Sequence, residues 1–230
     1  DYDGDGDMDV VVTGKKVHLF RNDGTVFSDV TDKLPDKEIC CAHAAAWGDY
    51  DNDGDPDLYL ARSYGMMEGT TSANLLLRND GNGHFTDATD ESGTGSWGNS
   101  RDATWFDFDN DGDLDLYVVN SASLAAFAPW FARPTLSLWE PMLSDGVFDE
   151  ANLLFQNHGD GTFTEVAEIA GVQGENSNSG VAVADVDRDG FLDLALSAGY
   201  YPLESGPILL FRNEGSANNW LRLRLIGRVS

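Results

Sequence analysis

One nine-residue pattern, D-x-D-x-D-G-x-x-D, is written four times in this chain. It reads DYDGDGDMD from Asp1, DYDNDGDPD from Asp49, DFDNDGDLD from Asp107 and DVDRDGFLD from Asp185. The starts are 48, 58 and 78 residues apart. A repeat on this scale means stacked supersecondary units, each burying its apolar faces against its neighbours.

Other strings keep step with the loops. LFRNDG, LLRNDGNG, LFQNHGDG and LFRNEG follow them, around Asn22, Asn79, Asn157 and Asn213. FSDVT, FTDAT and FTEVA come next in the first three units. AHAAAWGD, DATWFDFD and GVAVADVD run into the last three loops. Each unit therefore reads as four short strands. Strand A enters the Asp loop, and strand B leaves it as DLYLA (57–61) or DLYVV (115–119). Strand C is the LLLRN type and strand D the FTDAT type. Asn and Gly at the C–D junction tolerate positive φ, which marks a hairpin. Four-stranded units repeated along a chain are propeller blades. The fold class is all-β: a β-propeller of four-stranded antiparallel blades spanning 1–215, the first lacking strand A, with 216–230 as a last strand or the start of another domain.

The loops have the chemistry of a calcium site. Calcium takes about 6–8 oxygen ligands at about 2.3–2.6 Å. Carboxylates at positions 1, 3, 5 and 9 can converge if Gly at position 6 allows a sharp turn. The candidate ligands are Asp1, Asp3, Asp5, Asp7 and Asp9; Asp49, Asp51, Asp53, Asp55 and Asp57; Asp107, Asp109, Asp111, Asp113 and Asp115; and Asp185, Asp187, Asp189, Phe191 and Asp193. Phe191 at position 7 has no side-chain oxygen, so position 7 is expected to offer its carbonyl in all four loops. An EF-hand would need Glu at position 12, where Val12, Leu60, Val118 and Leu196 stand, and flanking helices where strands are expected. Magnesium fits less well, and zinc or iron would want His or Cys. The competing reading is that these are polar turns only; four copies in step, each followed by an apolar strand, argue against it. The expectation is about four structural Ca²⁺ sites.

The loops hold 19 of the 40 acidic residues in a chain with only 14 Lys plus Arg and a net charge of −26. Such a surface repels nucleic acid and anionic membranes. No apolar run is long enough for a membrane helix. The chain opens inside a motif, at Asp1, and reads as a fragment of a longer protein. Use of calcium points to an extracellular, periplasmic or cell-surface setting. Cys40 and Cys41 are adjacent; in a strand they would face opposite ways, as two small buried residues without an easy mutual disulfide. Oligomeric state is not legible.

The residues around the loops resemble FG-GAP/VCBS repeats, the blade units of integrin α-like propellers. AWGDYDNDGDPDLYL and LLLRNDGNGHFTDAT are similar to the cartilage acidic protein (ASPIC/UnbV-type) family, and NNWLRLRLIGRVS to the opening of its UnbV-type domain. The resemblance implies a partial ring of a propeller with about seven blades, bound calcium, and a secreted module for protein or carbohydrate binding and cell adhesion.

Nothing picks out a catalytic site. Gly93–Gly98 matches G-x-G-x-x-G but leads into a strand. There is no G-x-S-x-G elbow, and His18, His43, His84 and His158 are scattered. The alternative function is the propeller of a polysaccharide lyase or other carbohydrate-active enzyme. In a meander, A–B loops and C–D turns share one face of the ring. The long insertions 63–73, 121–151 and 197–207 and the D–A loops fall on the other. That second face carries Tyr64, Met66, Met67, Trp97, Trp130, Phe131, Trp139, Tyr200 and Tyr201, types enriched at interfaces. These are the ligand-face candidates; the alternative is that Trp130, Phe131 and Trp139 only pack the insertion onto a blade.

Overall fold

A computed structural model describes residues 1–36, 39–63, 73–81, 83–121, 151–174, 178–198, 208–215 and 220–225, the backbone only at 198 and 220–225. The described strands form four antiparallel meanders, each a propeller blade. Blade one has β1 (Val10–Val12), β2 (His18–Asn22) and β3 (Phe27–Asp29). Blade two has β4 (Ala42–Gly48), β5 (Asp57–Arg62), β6 (Leu75–Asn79) and β7 (Phe85–Asp87). Blade three has β8 (Ser100–Phe106), β9 (Asp115–Asn120), β10 (Leu153–Asn157) and β11 (Phe163–Glu165). Blade four has β12 (Asn178–Ala184), β13 (Asp193–Ala198), β14 (Ile208–Asn213) and β15 (Trp220–Leu225). β15 pairs along the full length of β14, from Asn213–Trp220 to Ile208–Leu225. Among the described residues the blades do not close a ring.

The repeat is kept at the level of register. The residue before each complete loop pairs with position 9: Gly48 with Asp57, Phe106 with Asp115, Ala184 with Asp193. Near its start, each of these A strands carries an irregularity, between Ala42 and Ala44, Ser100 and Asp102, and Asn178 and Val181. The A strands are the inner strands, β4 touching β8 and β8 touching β12.

The core lies between blades, not within them. Leu58 and Leu60 pack toward blade one with Tyr2, Leu19 and Leu34. Tyr59 and Ala61, on the opposite face of the same strand, pack toward blade three with Trp105, Leu116 and Val118. Tyr117 and Val119 then face Leu194, Leu196 and Phe211 of blade four. Side chains of a strand alternate between faces. A strand buried on both faces must be apolar throughout, which explains the unbroken DLYLA and DLYVV runs.

Two expectations are refined. The four-strand reading of each unit omits single helical turns that follow strand D: a 3₁₀ turn at Thr31–Lys33 and α turns at Thr89–Ser92 and Ala167–Ala170. Asp29, Asp87 and Glu165 each accept from a backbone N–H two residues on and so start these turns. Cys40 and Cys41 are not in a strand and not fully buried, and neither is in a disulfide. Cys41 holds a left-handed φ of 66°, which breaks the alternation that the strand reading assumed.

Candidate metal centre

All four loops take one backbone path. Position 6 is Gly with φ between 94° and 97°, and position 4, filled by Gly4, Asn52, Asn110 and Arg188, has φ between 58° and 72°. The first of these conformations is open to Gly and disfavoured for other residues. The path turns carboxylates inward. Asp1, Asp3 and Asp5 each bring an oxygen within 4.8 Å of the others; so do Asp49, Asp51 and Asp53, then Asp107, Asp109 and Asp115, and last Asp185, Asp187 and Asp193.

Backbone N–H groups satisfy most of these oxygens. The position 1 carboxylate accepts from position 6 in every loop, as Gly54 N donates to Asp49 at 3.0 Å and Gly112 N to Asp107 at 3.0 Å. Position 5 accepts from position 7, at 2.9 Å for both Asp53 and Asp111. Position 9 has a heavier task. Its two oxygens accept from the N–H of position 2 and from that of the turn asparagine: Tyr50 and Asn79 on Asp57 at 3.1 and 2.8 Å, Phe108 and Asn157 on Asp115 at 2.9 and 2.9 Å. Asp9 and Asp193 repeat the pattern. Position 9 is therefore the clamp that ties the loop to strand C, a role the ligand pattern alone does not suggest.

In blades two and three, position 3 is where the loop's own donors run out; in blade four Asp187 still accepts from Asp189 N. Asp51 Oδ1 and Asp109 Oδ1 are buried and have no hydrogen-bond partner. Burial first, then the neighbouring carboxylates, push both groups above the usual carboxylate range. Burial likewise drives Asp57 and Asp115 up to about 7 despite their backbone donors. An anionic oxygen without donors, among other anionic oxygens, is costly unless a cation meets it. A hard oxygen-binding ion of calcium's kind suits such a donor set.

Position 7 faces elsewhere. A side chain added at the C–D turn glycine would run into it: Gly24 into Asp7, Gly81 into Asp55, Gly159 into Asp113 and Gly215 into Phe191. The side chain at this place packs over the turn, which is why Phe191 can replace Asp.

Two further groups join the blades at the loops. The turn asparagine donates from Nδ2 to the position 2 carbonyl of the preceding blade: Asn79 to Tyr2 at 2.7 Å, Asn157 to Tyr50 at 2.8 Å, Asn213 to Phe108 at 2.6 Å. The position 2 ring meets the following blade as well, Tyr2 lying 5.7 Å from Phe85 and Tyr50 5.8 Å from Phe163. Sequence reading treats these asparagines only as turn formers and misses position 2. The available signal was the run Tyr2, Tyr50, Phe108 at equivalent places.

Of the ligand-face candidates, Trp97 is described. It precedes β8, at the strand ends away from the loops, and is 55% exposed. Tyr64, Met66, Met67, Trp130, Phe131, Trp139, Tyr200 and Tyr201 lie outside the described residues. The Gly93–Gly98 stretch leads into strand β8, not into a helix.

The same rim carries a belt of buried amides. Asn74 donates to Ser100, and Ser100 to Asn120 Oδ1. The Asn120 N–H donates to Asn152, and Asn152 Nδ2 to Asn178. Asn178 ends the belt on the Ser197 carbonyl.

Comparison with known proteins fits this geometry. Cartilage acidic protein 1 of Mus musculus is 29% identical over 204 residues, 73% of this chain and 31% of that protein. The Homo sapiens protein of that name is 28% identical over 205 residues, 88% of this chain and 27% of its own length. The Xenopus tropicalis one is 28% identical over 213 residues, covering 89% and 28%. This chain thus spans less than a third of the length of these relatives. The FG-GAP-like repeat family matches residues 1–60, 61–118 and 144–196. With all three segments, and a loop–strand–turn unit in each blade, the chain belongs to the FG-GAP-like repeat family.

Proposed function

We propose that this chain is a calcium-binding β-propeller module whose ions are structural, and that it works outside the cytoplasm as a binding or adhesion surface. The observation that carries the calcium reading is the pair of buried, unpartnered oxygens on Asp51 and Asp109. Three carboxylates converge there, and the backbone serves positions 1, 5 and 9 but not that oxygen. Asp49, Asp51 and Asp53 hold the ion in blade two, and Asp107, Asp109 and Asp115 in blade three. The residues equivalent to these do so in blades one and four, with the position 7 carbonyl as a further donor. The ion neutralises charge and fixes the loop; no reacting group is assigned to it. Calcium titration of the metal-free chain tests this: heat of binding and a raised melting temperature are expected, with a weaker response to magnesium. A melt that ignores both calcium and chelator would end the calcium reading.

Ligand binding belongs to the opposite rim. Trp97 is exposed there, and functional residues gather on loops held by a rigid scaffold. The partner is a protein or a carbohydrate; the surface charge disfavours nucleic acid, and no helix among the described residues is long and apolar enough to cross a membrane. The extracellular setting is supported by the calcium chemistry and by similarity to cartilage acidic protein 1. Quenching of Trp97 fluorescence by immobilised glycans or matrix proteins, lost in Trp97→Ala, is the expected outcome. Equal binding by that variant would move the ligand site away from this rim.

A further inference from the structure

The four loops share a backbone but not a charge. Positions 1–9 of the first two hold five Asp each, offset by one Arg at the strand-C place before the turn asparagine, Arg21 or Arg78, leaving −4. The third has five Asp and Gln156 at that place, leaving −5. The fourth has only four Asp, offset by both Arg188 and Arg212, leaving −2.

The strand-C side chain also points differently in each blade. Arg21 pairs with Asp23 at 2.9 Å, in its own C–D turn. Arg78 is drawn off by Asp80 at 3.4 Å and by Glu91 at 2.9 Å. Gln156, which is neutral, donates to Asp109 Oδ2 at 2.8 Å and leaves Oδ1 of that carboxylate bare. In blade four the guanidinium turns onto the loop itself. Arg212 Nε contacts the Asp187 carboxylate, and Nη2 lies 3.7 Å from Asp189. Glu214, which stands where Asp23 and Asp80 do, makes no ion pair with it among the described residues.

We infer that Arg212 is a built-in counter-cation of the fourth loop. It occupies positions 3 and 5, the carboxylates that a metal would need, so the fourth site binds calcium more weakly than the other three and keeps its loop shape when calcium is absent. The inference rests on the calcium reading above. An arginine is permanently charged and carries a planar fork that suits carboxylates. An incoming ion must displace it and then tolerate a positive charge nearby. One unit charge about 5 Å from a divalent ion changes its affinity by at least about tenfold, the value reached with full water screening.

The test uses the variant that blade three already supplies. Calcium alone is titrated into the metal-free chain against a chromophoric chelator, and native mass spectrometry counts the ions. Wild type should bind three equivalents tightly and one about tenfold more weakly. Arg212→Gln should tighten the fourth site about tenfold, toward the rest, and adding Asp187→Asn should remove it again, which places the gained site in blade four. Gln156→Arg is the reciprocal variant and should weaken one of the three tight equivalents. No calcium binding by wild type would overturn the calcium reading and this inference together. Four equal equivalents in wild type, or stepwise affinities unmoved by both Arg212→Gln and Gln156→Arg, would overturn this inference alone.

Discussion

The two rims of the propeller solve the same problem with opposite chemistry. Each must tie neighbouring blades together where strands end and backbone groups would be orphaned. The amide rim does it with neutral groups: Asn74, Ser100, Asn120, Asn152 and Asn178 pass hydrogen bonds from blade two to blade four. The acid rim uses carboxylates, and there the protein's own donors leave Asp51 and Asp109 short. A neutral network can be complete within the chain; an anionic one needs a cation from outside or, on the inference for Arg212, from the chain. On the calcium reading, the acid rim is thus the part of the scaffold whose stability the solvent sets.

The largest expected effect separates the rims by their ion requirement. On the calcium reading, each saturated site adds about 2.7 kcal/mol at ~100-fold excess over its Kd. Chelator should therefore lower the melting temperature by many degrees, read by circular dichroism or calorimetry, and calcium should restore it. Next comes the amide rim. Asn152→Ala strands the Asn120 N–H and the Asn178 amide, and should cost about 1–3 kcal/mol by denaturant unfolding. The cost should be equal in calcium and in chelator; a calcium-dependent cost would erase the contrast between the rims.

A smaller effect distinguishes positions within the acid rim. Asp109→Asn should weaken one calcium site in a titration, whereas Phe191→Ala should leave calcium affinity nearly unchanged while loosening the packing over Gly215. Equal losses would show that position 7 acts through its side chain.

The remaining effect is in pH. Folding raises the Asp57 and Asp115 carboxyls to about 7 from 3.8. The folded chain then holds protons that the unfolded chain releases. This contribution favours folding at pH 4 and is lost as the pH rises toward 7. In chelator, melting temperature should rise on acidification from pH 7.5 to pH 5.5; in calcium, which competes for the deprotonated forms, the rise should shrink or reverse.

The repeat, the hairpins and the loop chemistry were legible because each is local. Asn-Asp-Gly at Asn22 or Asn79 turns the chain wherever it occurs, and alternate Asp residues need only a glycine between them to converge. The bonds between blades were not legible. Asn157 reaches Tyr50 across 107 residues and Asn213 reaches Phe108 across 105, and no local pattern encodes a contact at such a distance. Position 7 is an intermediate case. Phe191 revealed that a carboxylate was dispensable there, but only the neighbouring turn glycine explains what the side chain does. Cys41 was misread for a local reason: its left-handed backbone has no glycine or asparagine to announce it.

The asparagine-to-carbonyl bond at the acid rim has one more consequence. Donor and acceptor sit on opposite sides of each blade, so the contact is head-to-tail and never self-complementary. Two copies of one blade cannot meet face to face through it. A duplicated blade brings both halves of the joint, a donor for the unit before it and an acceptor for the unit after it. Lengthening such an array therefore requires no new interface to be invented. The joint fixes the direction in which units are added, and curvature alone decides how many complete the circle.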